Sequence, residues 1–440
     1  MGKKRILLAT DSYNGKCVTA NGICVQYIAK EFAKHNYEVD IICYKHPNEQ
    51  THEIVENINL NRIRPNLVNK LRFAYETGEN NSFRKIFKKC MVALNRIQTL
   101  LFINWFPMRN PLFCRRYAKE MEKLCLKKKY DIILASYCPF EAIYSAWKIK
   151  KKYNVITCMY SLDSLSNFLG NRFFMSEKSQ REKGYRWEGK FFRACDLILN
   201  MKCHKEYYNQ QKYSIYTNKF RYVDFPHIVT THDDYEVLDS NLLLYAGSVR
   251  TSYFTEVITL LHDVLLTGYR LEIYGGNTDR DLGVESKQMN LMNIYLKGRV
   301  EHEMLLKIEE MAVCFISMGN YGNSSNFVPS KIFEYIATGK KIIHFYKNEN
   351  DSCVPYLKRY DGCCLINVNE DMDKSKAIIR KFLDSPFKPI DAKQIKKVFN
   401  MNTPEYTYKI INDYFESKQE LVTIKTDAEE EEKKKGVLET

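Results

Sequence analysis

No apolar run in this 440-residue chain approaches the roughly 18 residues that a membrane-spanning helix needs. The longest, residues 99–106 (TLLFINWF), is far too short to span. The opening MGKKRILLATD passes from basic residues straight into a strand pattern, without the apolar core or small-residue cleavage site of a secretory leader. Ile6 stands where myristoylation calls for Ser or Thr. These absences predict a cytoplasmic protein. The 14 cysteines include no C-x-x-C pair, and Cys363 and Cys364 are adjacent, a poor spacing for a metal site. Reduced core thiols are therefore expected, with no metal site and no disulfide framework. G-x-G-x-x-G is also missing, which removes the dinucleotide fingerprint.

What is present is enough apolar residue, 45%, for two full domain cores in a chain of this length. Charge is plentiful but unevenly placed. Residues 1–226 hold 40 Lys and Arg against 20 Asp and Glu, a net +20, while the remainder holds 27 against 33, a net −6. A basic first half predicts an anionic partner there: nucleic acid, an anionic bilayer surface or a phosphorylated lipid.

The hydrophobic pattern alternates strand, loop and helix. Residues 5–10 read as a buried strand, 22–34 as a helix after the turn at Asn21 and Gly22, and 39–43 as a second strand. Backbone amides at that helix start are expected to be open to a ligand. Residues 45–80 are polar and carry no clear pattern. From 83 to 129 the spacing is helical, with Phe83, Ile86, Phe87, Val92, Leu94, Ile97, Leu101 and Phe102 on one side and Arg84, Lys85, Lys88, Lys89 and Arg96 interleaved. With Trp105 and Phe106 at its end, the segment 83–106 reads either as an element lying on an anionic membrane surface or as a helix covering the first domain's sheet with its lysines solvated. Strands follow at 130–136, 155–160 and 196–200. Asp163 falls just past one strand, at the edge where open αβ sheets place ligands. His204 opens the next helix and reads as a cap or surface group. Residues 222–239 lack periodicity and read as a linker.

A second strand–helix series begins at 241. Gly247, Ser248 and Arg250 form the turn after the strand 241–246, Gly298, Arg299 and Val300 a later one, and the stretch 326–346 (NFVPSKIFEYIATGKKIIHFY) closes the series. That stretch reads as a loop through Asn326, Val328 and Pro329, a short helix from Ser330 or Lys331, a stop at Gly339, and a strand. Glu334 sits mid-helix where packing does not demand it. Glycine amides with Arg250 or Lys331 suit a diphosphate, and Glu334 suits a ribose diol. The expected organisation is a first domain over 1–225, a linker over 226–240, a second domain over 241–390, helices over 391–417 that pack back on the first domain, and a disordered tail over 418–440.

The stretch PSKIFEYIATGKKII at 329–343 resembles the P-x-K-x-x-E-Y-x-A-x-G-K-P-I-I segment of GT-B glycosyltransferases of the family 4 type. LLYAGSVR at 243–250, YRLEIYGGN at 269–277 and LKGRV at 296–300 fall in the same order as in that family. The resemblance implies two Rossmann-like parallel-sheet domains facing each other across a cleft. It also implies a nucleotide-diphosphate sugar as donor, with Glu334 on the ribose, Arg250 and Lys331 on the leaving diphosphate, and no metal or other cofactor. Asp163 lies where the family often has a His–Asp pair near the sugar. Asn326 replaces the first Glu of the family's E-x7-E, Ser248 replaces an Arg, and Tyr253 a Lys, which bears on the donor and on the retaining outcome. The expected activity is hexosyl transfer to a glycan or lipid-linked hydroxyl in cell-surface polysaccharide synthesis at the inner membrane face. A nucleotide-sugar epimerase of the same fold is the alternative. A non-catalytic nucleic-acid module is disfavoured, because the lysines lack an RNA-binding motif.

Overall fold

The computed structural model describes residues 3–13, 19–46, 49–65, 67, 70–71, 81–102, 105, 111–167, 175–229, 241–247, 251–275, 292–319 and 328–437. The first sheet takes its strands from β1 (Arg5–Ala9), β2 (Glu38–Tyr44), β3 (His52–Val55), β4 (Ile58–Ile63), β5 (Ile132–Ser136), β6 (Ile156–Ser161), β7 (Leu197–Met201) and β8 (Phe220–Val223). They lie in the order β3-β4-β2-β1-β5-β6-β7-β8. Only the β3–β4 pair is antiparallel. Its hairpin turns at Glu56 and Asn57, both in the left-handed region (φ 50° and 64°), as a two-residue hairpin loop demands. The sequence conceals this pair because β3 is a four-residue, exposed edge strand, too short for a clear alternation.

The helices of this domain are α1 (Ala20–Lys34), α2 (Asn81–Leu101), α3 (Pro111–Lys127), α4 (Phe140–Lys150), α5 (Glu177–Ala194) and the single turn α6 (Lys205–Tyr208). The region expected to be one long helical stretch thus holds two helices. Buried Tyr117 ties α3 to the sheet, its hydroxyl donating to the carbonyls of Thr10 (3.0 Å) and Ile42 (2.8 Å).

The second sheet has β9 (Leu242–Ala246), β10 (Arg270–Tyr274), β11 (Ile294–Gly298), β12 (Cys314–Met318), β13 (Lys341–Tyr346) and β14 (Cys363–Asn367), ordered β11-β10-β9-β12-β13-β14 with every pair parallel. Its helices are α7 (Thr251–Leu266), α8 (His302–Met311), α9 (Lys331–Ala337), α10 (Val354–Leu357), α11 (Met372–Asp384) and α12 (Ala392–Val398). Parallel strands buried on both faces require this near-continuous apolar composition. One apolar cluster runs unbroken from β1 and α1 through Phe225 and Ile228 to Phe333, Tyr335 and Tyr356, so the two domains share a packed junction.

The last helix, α13 (Pro404–Val437), returns to the first domain as expected. Tyr408 stacks on His35 at 4.0 Å, the Tyr37 hydroxyl donates to Asn412 Oδ1 at 2.7 Å, and Lys4 pairs with Glu416. Among the described residues no helix is long and apolar enough to cross a membrane.

Candidate active site

Parallel strands β9, β10 and β11 are neighbours, so the turns leaving their C-terminal ends lie side by side. Two need glycine. Gly247 has φ +152° and Gly298 φ +74°, where a side chain would be strained. Their backbones are tied to β10: the Gly247 N–H donates to the Tyr274 carbonyl (2.8 Å), and the Gly275 N–H to the Gly298 carbonyl (2.9 Å). Arg299 and Val300 follow Gly298, with Val300 packed against the junction cluster.

Helix α9 is fixed beside these turns by Tyr335. Its hydroxyl accepts the Ala246 N–H at 2.8 Å, one residue before Gly247, and its ring stacks on Phe315 at 4.3 Å. Gly339 ends the helix with φ +73°, and a Cβ there would fall 2.4 Å from the Ile390 carbonyl oxygen. Ser330 immediately precedes α9 with helical φ and ψ, and the Pro329 carbonyl accepts the Ile332 N–H. Val328 is buried. Ser248, Arg250 and Asn326 lie outside the described residues.

Glu334 is 3% exposed, not a solvated helix residue. Its Oε2 receives Lys331 Nζ at 2.5 Å and faces His302 Nδ1 at 3.9 Å, while Oε1 faces His227 Nε2 at 3.5 Å. Lys331 also reaches Glu309 Oε1 at 3.4 Å. Tyr27 of α1 joins the group through His302 Nε2 (3.2 Å) and an edge-on contact with the His227 ring. The cluster therefore gathers α1, the linker, α8 and α9. Neither Glu334 Oε1 nor His227 Nε2 has a hydrogen-bond partner among the described residues, although both are buried. Leaving such atoms unpaired costs free energy unless a ligand or water completes them.

The electrostatics divide the cluster. Burial pushes the Glu309 carboxyl up, to about 7, against the pull of Lys331. Glu334 is equally buried, yet Lys331 and then His302 and His227 outweigh burial and hold it below its ordinary value. Burial keeps His227 neutral by lowering it to about 4. At neutral pH one carboxylate, Glu334, is firmly ionised beside one ammonium, and Glu309 is the weaker partner of Lys331.

Across the junction, Asp163 follows β6 at the C-terminal edge of the first sheet. Tyr137 donates to its Oδ2 at 2.8 Å, and His204 Nε2 lies 3.7 Å from Oδ1. His204 is 2% exposed, so it is not a surface group; it stands at the N-cap position of α6, as the sequence suggested, but its side chain makes no capping bond. Burial raises the Asp163 carboxyl, while His204 and the Tyr137 bond draw it back. Behind it, the backbone turn Leu165–Asn167 packs on α5, where buried Glu188 accepts from the Tyr213 hydroxyl (2.5 Å) and the Ser166 N–H (3.3 Å).

Burial pushes Glu188 from 4.5 up to about 7. Below pH 4.5 it is protonated in both folded and unfolded chains. Above that the unfolded chain ionises first, so stability falls as pH rises towards 7 and then levels, by about 3 kcal/mol in all. Denaturant unfolding between pH 5 and 8 should therefore show Glu188→Gln flattening this decline and exceeding wild type at pH 8.

The first-domain turn at Asn21 and Gly22 differs from expectation. Thr19 caps α1, and its Oγ1 accepts the Gly22 N–H at 3.1 Å, so that amide is taken. A Cβ at Gly22 would sit 2.5 Å from Ser12 Oγ and 2.6 Å from the Ser12 carbonyl oxygen. Glycine is needed here for the close approach of α1 to the loop after β1. Asn21 is half-buried in the first turn of the helix.

Two facing parallel-sheet domains with a returning C-terminal helix define the GT-B fold. No protein-family model matches the chain, and no curated protein matches it. Solved structures do. The chain is similar to a sucrose-phosphate synthase from Thermosynechococcus elongatus (TM-score 0.58, 12% identity, 94% of this chain and 99% of that one). It is also similar to the catalytic domain of starch synthase IV from Arabidopsis thaliana bound to ADP and acarbose (TM-score 0.56, 11% identity, 95% and 99%). A glycosyltransferase from Rickettsia africae follows, with TM-score 0.54, 11% identity and coverage of 95% and 99%. At these identities the likeness establishes the fold.

Proposed function

We propose that the protein is a glycosyltransferase that moves a hexosyl group from a nucleotide-diphosphate sugar to a hydroxyl acceptor, in the manner of the retaining family 4 enzymes. The observation that carries this reading is buried Glu334, ionised, with Oε1 unpartnered beside His227, next to glycine turns at the edge of a parallel sheet. A ribose diol would complete Oε1. The diphosphate would lie along Gly247, Ser248, Arg299, Val300, Val328, Pro329 and Ser330, with Arg250 supplying charge. Lys331 would turn to the diphosphate by leaving Glu309, its weaker partner. Charge developing on the leaving group is then met by fixed dipoles and cations, with no metal required. The ADP in the starch synthase structure supports a nucleoside diphosphate as the ligand class.

Asp163, oriented by Tyr137 and His204, would meet the donor sugar or the acceptor hydroxyl from the opposite domain. The departing phosphate takes the acceptor proton in this scheme. Incubation with nucleotide sugars and hydroxyl acceptors tests it: release of nucleoside diphosphate together with a glycosylated acceptor is expected. An isomerised donor formed without acceptor would instead mean epimerisation.

The acceptor is proposed to be glycan or lipid-linked, with the enzyme resting on the inner face of the plasma membrane during cell-surface polysaccharide synthesis. Helix α2 supports this. Ile86, Val92, Ile97, Leu100 and Leu101 are exposed on it, up to 71% at Leu101, and Lys89 and Arg96 are exposed beside them. Trp105 does not belong to that surface; it packs on Trp187 at 5.0 Å and Tyr144 at 5.8 Å, because the chain turns back into the domain there. Phe106 lies outside the described residues. Flotation with anionic vesicles at low salt should recover the protein, and Ile97→Glu with Leu101→Glu should reduce recovery at least about tenfold, given the cost of burying charge in the interface. Equal flotation of the variant would remove α2 from the account.

A further inference from the structure

In the second domain, on β13 and the connection that follows it, three donor groups of different chemistry converge in the core. His344 of β13 stands in register with Ser317 of β12. Its Nδ1 lies 2.9 Å from Ser317 Oγ, and its Nε2 faces Asp351 Oδ1 at 3.5 Å. The imidazole is 0% exposed, and Nε2 has no hydrogen-bond partner among the described residues. Asp351 and Cys353 come from the connection between β13 and α10, and the Cys353 N–H donates to Asp351 Oδ1 at 2.8 Å. One ligand atom from each of His344, Asp351 and Cys353 lies within 4.8 Å of the other two, and all three residues are buried. Gly319 closes over them: a Cβ there would fall 1.9 Å from Asp351 Oδ2.

We propose that His344 Nε2, Asp351 and Cys353 Sγ form a binding site for a thiophilic divalent cation of the zinc type. A separation of 3.5 Å is too long for a good N–H···O bond. It is close to the roughly 3.3 Å edge between two ligands held about 2 Å from a tetrahedral ion. Ser317 completes the arrangement. In the metal-bound tautomer it would accept from Nδ1, fixing the ring and leaving the Nε2 lone pair directed at the other donors, the usual support of a metal-bound histidine. A thiolate and a carboxylate together cancel a dication, so the loaded centre is neutral and suited to burial. On binding, the Cys353 thiol gives up one proton to solvent, and affinity rises with pH. The sequence hides the site because His344 is separated from the other two by a loop, in no recognised ligand spacing.

The ion would be structural. It would pin the connection leading to α10, whose Tyr356 hydroxyl donates to Asp224 at 2.7 Å, beside the interdomain linker. The site shares no residue with the proposed nucleotide site and does not depend on that reading.

The test is titration of the full-length, chelator-dialysed protein with zinc, and with cobalt as a spectroscopic substitute, against a chromogenic chelator. One tight equivalent is expected, with a cobalt–thiolate absorption band and a raised thermal midpoint. Cys353→Ser and His344→Gln should lose the band and weaken affinity about 100-fold or more. Cys314→Ser, another buried thiol of the same sheet, should retain both. Should Cys353→Ser fail to fold, Asp351→Asn keeps the thiol and should still weaken binding. Absence of a tight equivalent, or a band that survives in Cys353→Ser and His344→Gln, would overturn the proposal.

Discussion

Gly184→Ala should destabilise the protein by about 3 kcal/mol or more, a heavy penalty for one methyl group. The added Cβ would lie 2.4 Å from Ser166 Cα and 2.7 Å from both the Leu165 carbonyl oxygen and the Ser166 nitrogen. All three contacts are backbone, so no side chain can swing away to relieve them. Either α5 or the turn Leu165–Asn167 must move, and movement of the turn also breaks the Ser166 N–H bond to Glu188. Asp163 lies just before that turn, so acceptor-side activity should fall even in the folded fraction. Gly189 on the same helix provides the contrast. Its Cβ would meet only the Tyr216 hydroxyl, at an ordinary 3.5 Å. Gly189→Ala should raise stability by about 0.5–1 kcal/mol, the helix-propensity gain. Chemical denaturation of both variants checks the opposite signs.

Glu334→Gln should weaken nucleoside diphosphate binding by about 10- to 100-fold, the worth of one or two hydrogen bonds to a charged acceptor. It should also lower stability, because half-buried Lys331 loses its closer carboxylate. Glu309 would then ionise more readily to keep the ammonium paired. Glu309→Gln removes a carboxyl that burial already holds half-protonated near pH 7. It is expected to change stability by no more than about 1 kcal/mol and to leave nucleotide affinity close to wild type. The two variants thus separate a ligand-binding carboxylate from a structural one, although both sit beside the same lysine.

The order of strands, helices and glycine turns was legible because it rests on local signals. Apolar runs bounded by Gly247, Gly298 and Gly339 each announce a strand, turn or helix end within a few residues. The group around Glu334 was not legible in this way. Tyr27, His227 and His302 come from α1, the linker and α8, and only the packing of one domain on the other brings them to Glu334. Read singly, each had no reason to be more than a surface or core residue. His204 was missed for the same reason, since its proximity to Asp163 depends on the pairing of β6 with β7. Other differences had local causes. Gly22 looked like a ligand-facing turn because nothing in its neighbours shows that Ser12 sits against it. Trp105 looked interfacial because its position at the end of a basic amphipathic helix gives no sign of the turn inward.

The most direct test of the account is calorimetric titration of a panel of nucleoside diphosphates into wild type, Glu334→Gln and Glu309→Gln. Saturable binding of at least one nucleotide to wild type and to Glu309→Gln, with binding to Glu334→Gln weakened about 10-fold or more, is the predicted result. Failure of every nucleotide to bind, or equal affinity in Glu334→Gln, would contradict it.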